Sequence, residues 1–260
     1  MKSKTRVFAV LTVLALVLAA CGDGDEGTVD PDDLELVAPG TLTICTDVPF
    51  PPMEFEDSES ELGYDGFDIE LSVAIAEELG LTPTIATPGF EAITGGLAFE
   101  NDDCDVAAAS ITITEEREEA IDFSDPYFNS EQSLLVKADS GIATWEDLES
   151  VAVQTGTTPE IYAQENWEGV EIVSFEDAAG PYLALDAGEV DGVLFDLVSQ
   201  QDVANNDDTV VIVETYDTGE EYGLATQETP NLLAAINESL AGLREDGTYD
   251  EIFNNWFPET

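Results

Sequence analysis

The chain has 260 residues, of which 58 are Asp or Glu, 6 are Lys or Arg and none is His, so its formal net charge is -52 at pH 7. Such a polyanion repels nucleic acid and anionic membrane surfaces, which excludes a phosphate-contacting role. The chain lacks the commonest general base and zinc ligand, and its 3 Cys are too few for a site of four thiolates, which argues against most hydrolases and metalloenzymes.

The first 20 residues have the pattern of a secretory signal. Three basic residues precede an apolar run over 7–20, which is shorter than a membrane-spanning helix. The run ends in Leu-Ala-Ala-Cys-Gly, which is similar to a bacterial lipobox with Cys21 as the cysteine that is diacylated. We expect 1–20 to be a lipoprotein signal peptide and Cys21 to be lipidated. The alternative is an ordinary signal peptide that happens to contain a cysteine.

The next segment, 21–39, is acidic, carries Gly and Pro and has few large apolar residues, which is typical of a flexible tether. Removal of the signal takes away three cations and no acid, so the mature chain holds 58 acids against Arg117, Lys137 and Arg244, a net charge of -55. Self-repulsion of this size destabilises a compact fold in dilute buffer, and salt screens it. We infer a saline or alkaline habitat.

From residue 40 onward, short β-rich runs alternate with helical periodicity, which predicts an α/β fold with mostly parallel sheets. A hydrophobic content of 43% supplies the core for it. The predicted strands are 41–46, 82–87, 105–109, 151–154, 171–175, 190–195, 209–213 and 222–226. The predicted helices are 67–79, 90–99, a turn at 114–117, 145–148, one capped by Thr158, and 230–257 with a break at Gly247.

Ligands of open α/β sheets bind outside the carboxyl ends of the strands. The polar residues that end predicted strands are Asp47, Ser110 with Thr112, Thr157 with Thr158, and Asp196. The first two groups belong to the outer part of the chain and the last two to its middle part. A ligand held between two lobes would therefore meet all four groups.

Several motifs resemble the polar amino-acid group of bacterial extracellular solute-binding proteins (family 3), which feed ABC importers. The segment GFDIEL at 66–71, followed by Ile75-Ala76 and Leu79-Gly80, is similar to the signature of that family. Further stretches fit it in the same order: FPPMEF at 50–55, TITEER at 112–117, DFSDPYF at 122–128, QTGTT at 154–158, DGTYD at 246–250 and WF at 256–257. The resemblance covers about residues 40–258.

The resemblance implies a two-lobed periplasmic-binding-protein fold of type II, in which two lobes close over the ligand like a hinge. Lobe 1 is expected over 40–128 plus 217–260 and lobe 2 over 135–212. The two crossover segments are expected near 127–136 and 213–222.

The resemblance also implies how the backbone of an amino-acid ligand is held. Arg117 matches the arginine that pairs with the α-carboxylate, and its planar fork suits a bidentate bond. Asp196 matches the carboxylate that takes the α-ammonium group. Thr112 matches a hydroxyl residue that helps to hold either group, and Ser110 offers a backbone carbonyl. Thr158 lends an N–H at a helix start, a position that favours an anion.

Three further residues match the part of the family's site that meets the ligand side chain. Phe50 and Phe90 stand where aromatic rings flank it, and Asp47 stands where its polar end is read. Each assignment has a structural alternative, because the two rings could be core residues and any acid in this chain could belong to a solvated face.

Scarcity of cations narrows the ligand class. A second carboxylate on the ligand would need another positive partner, and neither Lys137 nor Arg244 falls near a predicted strand end. A polar L-amino acid with a cationic or neutral side chain is therefore expected. The alternatives are a compatible solute such as ectoine, which the inferred habitat motivates, or an enzyme on the same fold, such as a dehydratase with Glu54 or Asp47 as general acid. Nothing marks either acid for catalysis, so we expect neither an enzyme nor a bound metal or cofactor.

The family implies partners and a location as well. We expect a monomer outside the cytoplasm, anchored to the cell membrane by the lipid on Cys21, that delivers its amino acid to the permease subunits of an ABC transporter. Cys45 and Cys104 lie beside neighbouring strands of lobe 1, and thiols outside the cytoplasm tend to oxidise. A simple parallel register leaves these two cysteines too far apart to bond, so both a disulfide and two buried thiols stay open.

The charge predicts a salt requirement. The thermal unfolding midpoint of the mature domain should rise from dilute buffer to molar KCl, because salt screens repulsion between the acids. Differential scanning fluorimetry over a KCl series measures this. A domain that is more stable in dilute buffer would contradict the inferred adaptation to salt.

Overall fold

The computed structural model describes residues 34–258, so the predicted signal peptide, Cys21 and most of the tether lie outside the described residues. Its strands are β1 (Thr41–Cys45), β2 (Phe55–Glu56), β3 (Tyr64–Asp65), β4 (Thr82–Ala86), β5 (Val106–Ala107), β6 (Asp122–Phe123), β7 (Phe128–Lys137), β8 (Ser150–Gln154), β9 (Glu171–Phe175), β10 (Gly192–Asp196), β11 (Val210–Tyr222) and β12 (Ala225–Thr226). Its helices are α1 (Phe67–Glu78), α2 (Phe90–Thr94), α3 (Leu97–Glu100), α4 (Thr158–Asn166), α5 (Ala179–Ala187), α6 (Leu197–Asn206), α7 (Pro230–Asp246) and α8 (Thr248–Trp256), with 3-10 turns at Arg117–Glu119 and Trp145–Asp147.

The strands form two five-stranded sheets, in the orders β4-β1-β5-β12-β6 and β11-β7-β10-β8-β9, and a β2-β3 ribbon. In the first sheet β1 runs parallel to β4 and β5, and β12 runs antiparallel to β5 and β6. In the second, β8 runs parallel to β9 and β10, whereas β7 is antiparallel to both β10 and β11. In each sheet four strands therefore run in one direction and one strand, β12 or β7, runs against them, which confirms the expectation of mostly parallel sheets.

Two long strands connect the sheets. β7 and β11 pair from Phe128 opposite Tyr222 to Lys137 opposite Val210, with register shifts after Ile212 and after Tyr216. The predicted lobe limits, 40–128 with 217–260 and 135–212, fall within or next to these continuous strands and remain a prediction. The predicted strand 209–213 covers only the start of β11, and the predicted strand 222–226 covers its last residue and β12. The section 214–221 was not predicted as a strand because, apart from Tyr216, its residues are polar or glycine.

Other boundaries also differ from those predicted. The predicted helix 90–99 is divided into α2 and α3 at Gly95-Gly96, where Gly96 has a φ of 81°. The predicted strand 105–109 is only two residues long, and α5 and α6 were not predicted. The break at Gly247 is confirmed, with this residue in the left-handed conformation between α7 and α8.

Helices cover one face of the first sheet. α1 buries Phe67, Leu71 and Ile75, and α7 packs beside it through a buried row of leucine, isoleucine and alanine residues. The ring of Phe67 lies 5.4 to 6.2 Å from the rings of Tyr127, Phe128, Tyr249, Phe253 and Phe257. The start of α1 and the start of β7 are therefore packed into one aromatic cluster. Within residues 34–258, no helix is both long and apolar enough to cross a bilayer.

Cys45 and Cys104 form a disulfide, with Cα atoms 5.6 Å apart. The expectation that a parallel register keeps the two cysteines too far apart is wrong, because the chain turns just before Cys104. Cys45 pairs with Ala107, and the chain turns before β5 at Asp102, which has a φ of 57°. This turn brings Cys104 back beside Cys45, and both are buried.

Replacing both cysteines should lower the free energy of unfolding. The bond spans 59 residues, and in the chain-entropy account a cross-link of this kind contributes about 2–4 kcal/mol. Urea unfolding of Cys45→Ala/Cys104→Ala measures the loss. In reductant the free energy of unfolding of the wild type should fall towards that of the variant. The free energy of unfolding of the variant itself should not change with reductant. A variant within about 0.5 kcal/mol of the oxidised wild type would contradict a stabilising disulfide.

Candidate functional site

A cavity lies between the two sheets, where β1, β5, β8 and β10 end. Its empty volume is about 340 Å³ with the open mouth included. The structure brings all eight residues that sequence analysis selected to its wall: Asp47, Phe50, Phe90, Ser110, Thr112, Arg117, Thr158 and Asp196. Their roles in binding stay a prediction.

Thr157, which was expected beside Thr158 at the end of a strand, also lines the cavity. Five other lining residues were not predicted: Glu54, Ala109, Gln154, Pro159 and Phe195. Gln154 ends β8, so the rule that selected Asp196 at the end of β10 also applies to it. Phe195 directly precedes Asp196 in the same strand. Glu54 was considered only as a catalytic acid, and no local pattern marks it as a wall residue.

Arg117 is a buried cation held by neutral groups. Its side chain is 7% exposed, Nη1 donates to the Thr112 carbonyl at 2.7 Å and Nη2 donates to the Gly156 carbonyl at 3.1 Å. Its Cζ lies 5.1 Å from the centre of the Phe90 ring. Burial lowers the pKa of the guanidinium, although the charges of Asp196 and Glu220 oppose this.

The guanidinium keeps unused capacity for an anion. Among residues 34–258 no carboxylate oxygen lies within 4.0 Å of Arg117. Two of its five N–H donors contact carbonyls, and these contacts do not neutralise the charge. A buried charge of this kind is costly without a partner of opposite sign. The geometry therefore suits a carboxylate ligand at Arg117.

Asp196 ends β10 on the wall of the same cavity. It is 7% exposed, and its Oδ1 makes no hydrogen bond to any described residue. Burial and the nearby charge of Glu220 raise the pKa of this carboxyl to about 7, against the opposing effects of the Tyr222 hydroxyl and Arg117. A buried carboxyl with one free oxygen suits an ammonium group.

Hydroxyl groups connect the two sides of the cavity near Arg117. Thr112 Oγ1 lies 3.4 Å from Thr158 Oγ1, which donates to Glu220 at 3.3 Å. The predicted cap of α4 is wrong by one residue: Thr157, not Thr158, is the N-cap, and its Oγ1 accepts the Glu160 N–H at 3.4 Å. Thr158 is therefore the first helical residue, whose N–H has no partner within the helix.

The far end of the cavity carries acids and rings. Asp47 Oδ2 accepts from Gln154 Nε2 at 2.7 Å, a contact between the two sides of the cleft. Burial raises the pKa of Asp47, and the bond from Gln154 opposes the rise. The rings of Phe50 and Phe195 also meet across the cleft, 5.5 Å apart. Glu54 is buried, and its Oε2 accepts from the Ser110 hydroxyl at 3.3 Å.

The chain belongs to the bacterial extracellular solute-binding proteins, family 3, whose family model matches residues 42–259. The L-cystine-binding protein TcyJ of Escherichia coli (strain K12) is 29% identical over 256 residues, which cover 96% of this chain and 94% of the relative. The glutamine-binding protein GlnH of Bacillus subtilis (strain 168) is 34% identical over 200 residues, which cover 75% of this chain and 73% of the relative.

Solved structures agree with this assignment. An ancestral arginine-binding protein bound to glutamine superposes with a TM-score of 0.77 and 38% identity, covering 85% of this chain and 99% of that one. The ancestral amino acid-binding protein AncCDT-1, a precursor of cyclohexadienyl dehydratase, superposes with a TM-score of 0.76 and 35% identity, covering 84% and 96%. The expectation of a two-lobed periplasmic-binding-protein fold of type II is confirmed.

Removing the charge of Asp196 should stabilise the ligand-free protein in a pH-dependent way. Its folded-state pKa of about 7 lies above the usual 3.8, so ionisation of Asp196 opposes folding. Asp196→Asn should match the wild type in acid and become more stable than it as the pH rises from about 4 to 7, by on the order of 3 kcal/mol.

Urea unfolding over a pH series measures this difference. Asp139→Asn is a matched control, because Asp139 is exposed and its removal changes the net charge equally. If the difference in free energy of unfolding between Asp196→Asn and the wild type stays constant with pH, the raised pKa of the buried Asp196 carboxyl is contradicted.

Proposed function

We propose that this protein is the extracytoplasmic substrate-binding component of an amino-acid ABC importer. It captures a polar L-amino acid with a cationic or neutral side chain between its lobes and delivers it to the permease. The observation that carries this proposal is a buried guanidinium, Arg117, and a buried carboxyl, Asp196, on the wall of one small cavity.

The two groups have the chemistry that the backbone of an α-amino acid requires. The free donors of Arg117 bind the α-carboxylate, helped by the N–H of Thr158 at the start of α4. Asp196 takes the α-ammonium group on its free oxygen. Ser110 and Thr112 line the cavity with a carbonyl and a hydroxyl for the remaining donors and acceptors.

The side chain of the ligand then meets Asp47 and the aromatic rings. An arginine, lysine or ornithine side chain is attracted by the carboxylate of Asp47, whereas a glutamine side chain exchanges hydrogen bonds with Asp47 and Gln154. A glutamate or aspartate ligand would place a second carboxylate against these acids. Among the described lining residues Arg117 is the one cation, so acidic ligands are disfavoured.

The relatives support this ligand class. GlnH is described as glutamine-binding, and the ancestral arginine-binding protein was solved with glutamine. Proteins that resemble this chain are thus described as binding an amino acid with a neutral side chain, glutamine, or one with a cationic side chain, arginine.

A compatible solute such as ectoine is the second candidate. Three phenylalanine rings line the cavity, at positions 50, 90 and 195, and rings of this kind suit a delocalised cation. A dehydratase is not proposed. Of its candidate acids, Asp47 accepts a hydrogen bond from Gln154 and Glu54 accepts one from Ser110.

We also propose that the mature protein is a lipid-anchored monomer. Cys21 in its lipobox-like context and the acidic segment 21–39 support an anchor with a tether, and the net charge of -55 after cleavage supports adaptation to salt. Metabolic labelling of the expressed precursor with a palmitate probe, compared with Cys21→Ser, tests the anchor.

Loss of the buried cation should weaken the binding of every ligand in the proposed class. Arg117→Ala should weaken binding by more than about 2 kcal/mol, or about 30-fold, because the ligand carboxylate would be buried without its partner. A thermal-shift screen in high salt over the twenty amino acids, ornithine, citrulline, ectoine and betaine first selects the ligand, because a ligand of the native state stabilises it. Isothermal titration calorimetry then gives the affinities.

Lys137→Ala is the matched control, because it removes the same charge at a half-buried residue that contacts Asp186 at 2.7 Å and does not line the cavity. Affinity of Arg117→Ala within about twofold of the wild type would overturn the site assignment. Ligand-dependent stabilisation by ectoine alone would favour the second candidate.

A further inference from the structure

A second buried carboxylate, Asp68, lies behind the cavity wall and has no role in the site described so far. It belongs to the first turn of α1 and is fully buried. Its Oδ2 accepts from the Ser110 N–H at 2.8 Å, the Ser110 hydroxyl at 3.4 Å and the Tyr127 hydroxyl at 2.8 Å. No Lys or Arg nitrogen lies within 4.0 Å of it among residues 34–258.

Two of these three bonds hold Ser110 in an unusual conformation. Ser110 has a φ of 50°, a left-handed conformation that costs a residue other than glycine roughly 1–2 kcal/mol. The residue is buried on the cavity wall, and no hydrogen bond to its carbonyl is found within the described part of the chain. The Asp68 carboxylate takes the Ser110 N–H, and the single hydroxyl proton of Ser110 lies within reach of both Asp68 and Glu54, which leaves the carbonyl as the free polar group of Ser110.

The backbone places Glu54 beside this carboxylate. The N–H groups of Phe67 and Asp68 donate to the carbonyls of Pro52 and Met53 at 3.0 and 2.9 Å, so the turn that carries Glu54 is bonded to the start of α1. Gly66 permits this approach, because a Cβ there would lie 2.2 Å from the Met53 carbonyl oxygen.

Two buried carboxyls this close do not both ionise. The Ser110 hydroxyl lies 3.3 Å from Glu54 and 3.4 Å from Asp68. Burial and the charges of Asp68 and Asp47 raise the pKa of Glu54 well above its usual value. Burial also raises the pKa of Asp68, but its hydrogen bonds with Ser110, Tyr127 and Glu54 limit the rise to about 6. Glu54 therefore holds the proton, and Asp68 is the charged member. The other titratable groups that face the pair are Tyr127, Tyr222 and Tyr249.

We propose that Asp68 is a positioning residue for ligand binding: its carboxylate fixes Ser110 in the left-handed conformation that leaves the Ser110 carbonyl free for the α-ammonium group of the ligand. Asp68 lies behind Ser110 and acts through it. The inference rests on the proposed function, since it assigns a role within the same amino-acid site.

A double comparison tests this role. Asp68→Asn should bind L-arginine or L-glutamine at least about tenfold more weakly than the wild type does, because a lost charge-assisted hydrogen bond costs about 1.5–3 kcal/mol. The analogues of these amino acids that lack the α-amino group should lose less than about threefold, since they do not use the Ser110 carbonyl. Competition calorimetry gives both ratios. Equal loss for both kinds of ligand would show a merely structural role and overturn the proposal.

Rescue provides a second readout. Glycine adopts positive φ at no steric cost, so Ser110→Gly in the Asp68→Asn background should recover at least about threefold of the lost affinity. If Asp68→Asn does not fold, Tyr127→Phe, which removes one of the three donors, should still cause a smaller loss that depends on the α-amino group. The inference is overturned if Ser110→Gly recovers no affinity and if the loss in Tyr127→Phe does not depend on the α-amino group of the ligand.

The experiments distinguish a failure of the proposed function from a failure of the role of Asp68. A wild-type protein that binds no amino acid in the screen would remove the proposed function and this inference together. A wild-type protein that binds an amino acid, while Asp68→Asn weakens all ligands equally, would leave the function in place and remove only the role of Asp68.

Discussion

The guanidinium of Arg117 is the constraint on which the site depends. The chain holds 58 acids and 6 basic residues, and this cation is buried in the cleft with carbonyl partners rather than carboxylates. Neutral acceptors hold the side chain in place without neutralising it, and burial strengthens its attraction for an anion. Across residues 34–258 the structure contains a single ion pair, between Lys137 and Asp186, so the fold does not draw its stability from salt bridges. Hydrophobic packing and the Cys45–Cys104 disulfide contribute to it instead.

The side chains that we propose for ligand binding also join the two sides of the cleft. Arg117 donates to Gly156, Asp47 accepts from Gln154, and the hydroxyls of Thr112 and Thr158 meet. In each case one partner precedes β7 and the other follows it. A ligand that engages Arg117 or Asp47 therefore also affects the bonds that join the two sides. β7 and β11 are the long strands through which the chain passes between the two sheets.

Much of the candidate site follows from local features of the chain. Asp47, Ser110 and Asp196 were selected because polar residues after buried strands meet at one edge of a parallel arrangement, and the structure places all three on the cavity wall. Arg117 was selected because it matches the carboxylate-binding arginine of the family that the motifs resemble. The helix break at Gly247 was also predicted, since glycine takes the left-handed conformation at a helix end without steric cost. These are properties of single residues and of short-range periodicity.

The sequence by itself thus determined the family, the two-lobed fold and the polar residues at the strand ends. Only the tertiary structure decided the continuity of β11, the approach of Cys104 to Cys45, and the bonds from Ser110 to Asp68. Each of these depends on residues between 42 and 94 positions apart, such as Asp68 with Ser110 and Phe128 with Tyr222. Periodicity describes which face of an element is buried, but it does not describe which distant element covers that face. The left-handed conformation of Ser110 is the clearest case, because its cause is a carboxylate on another element.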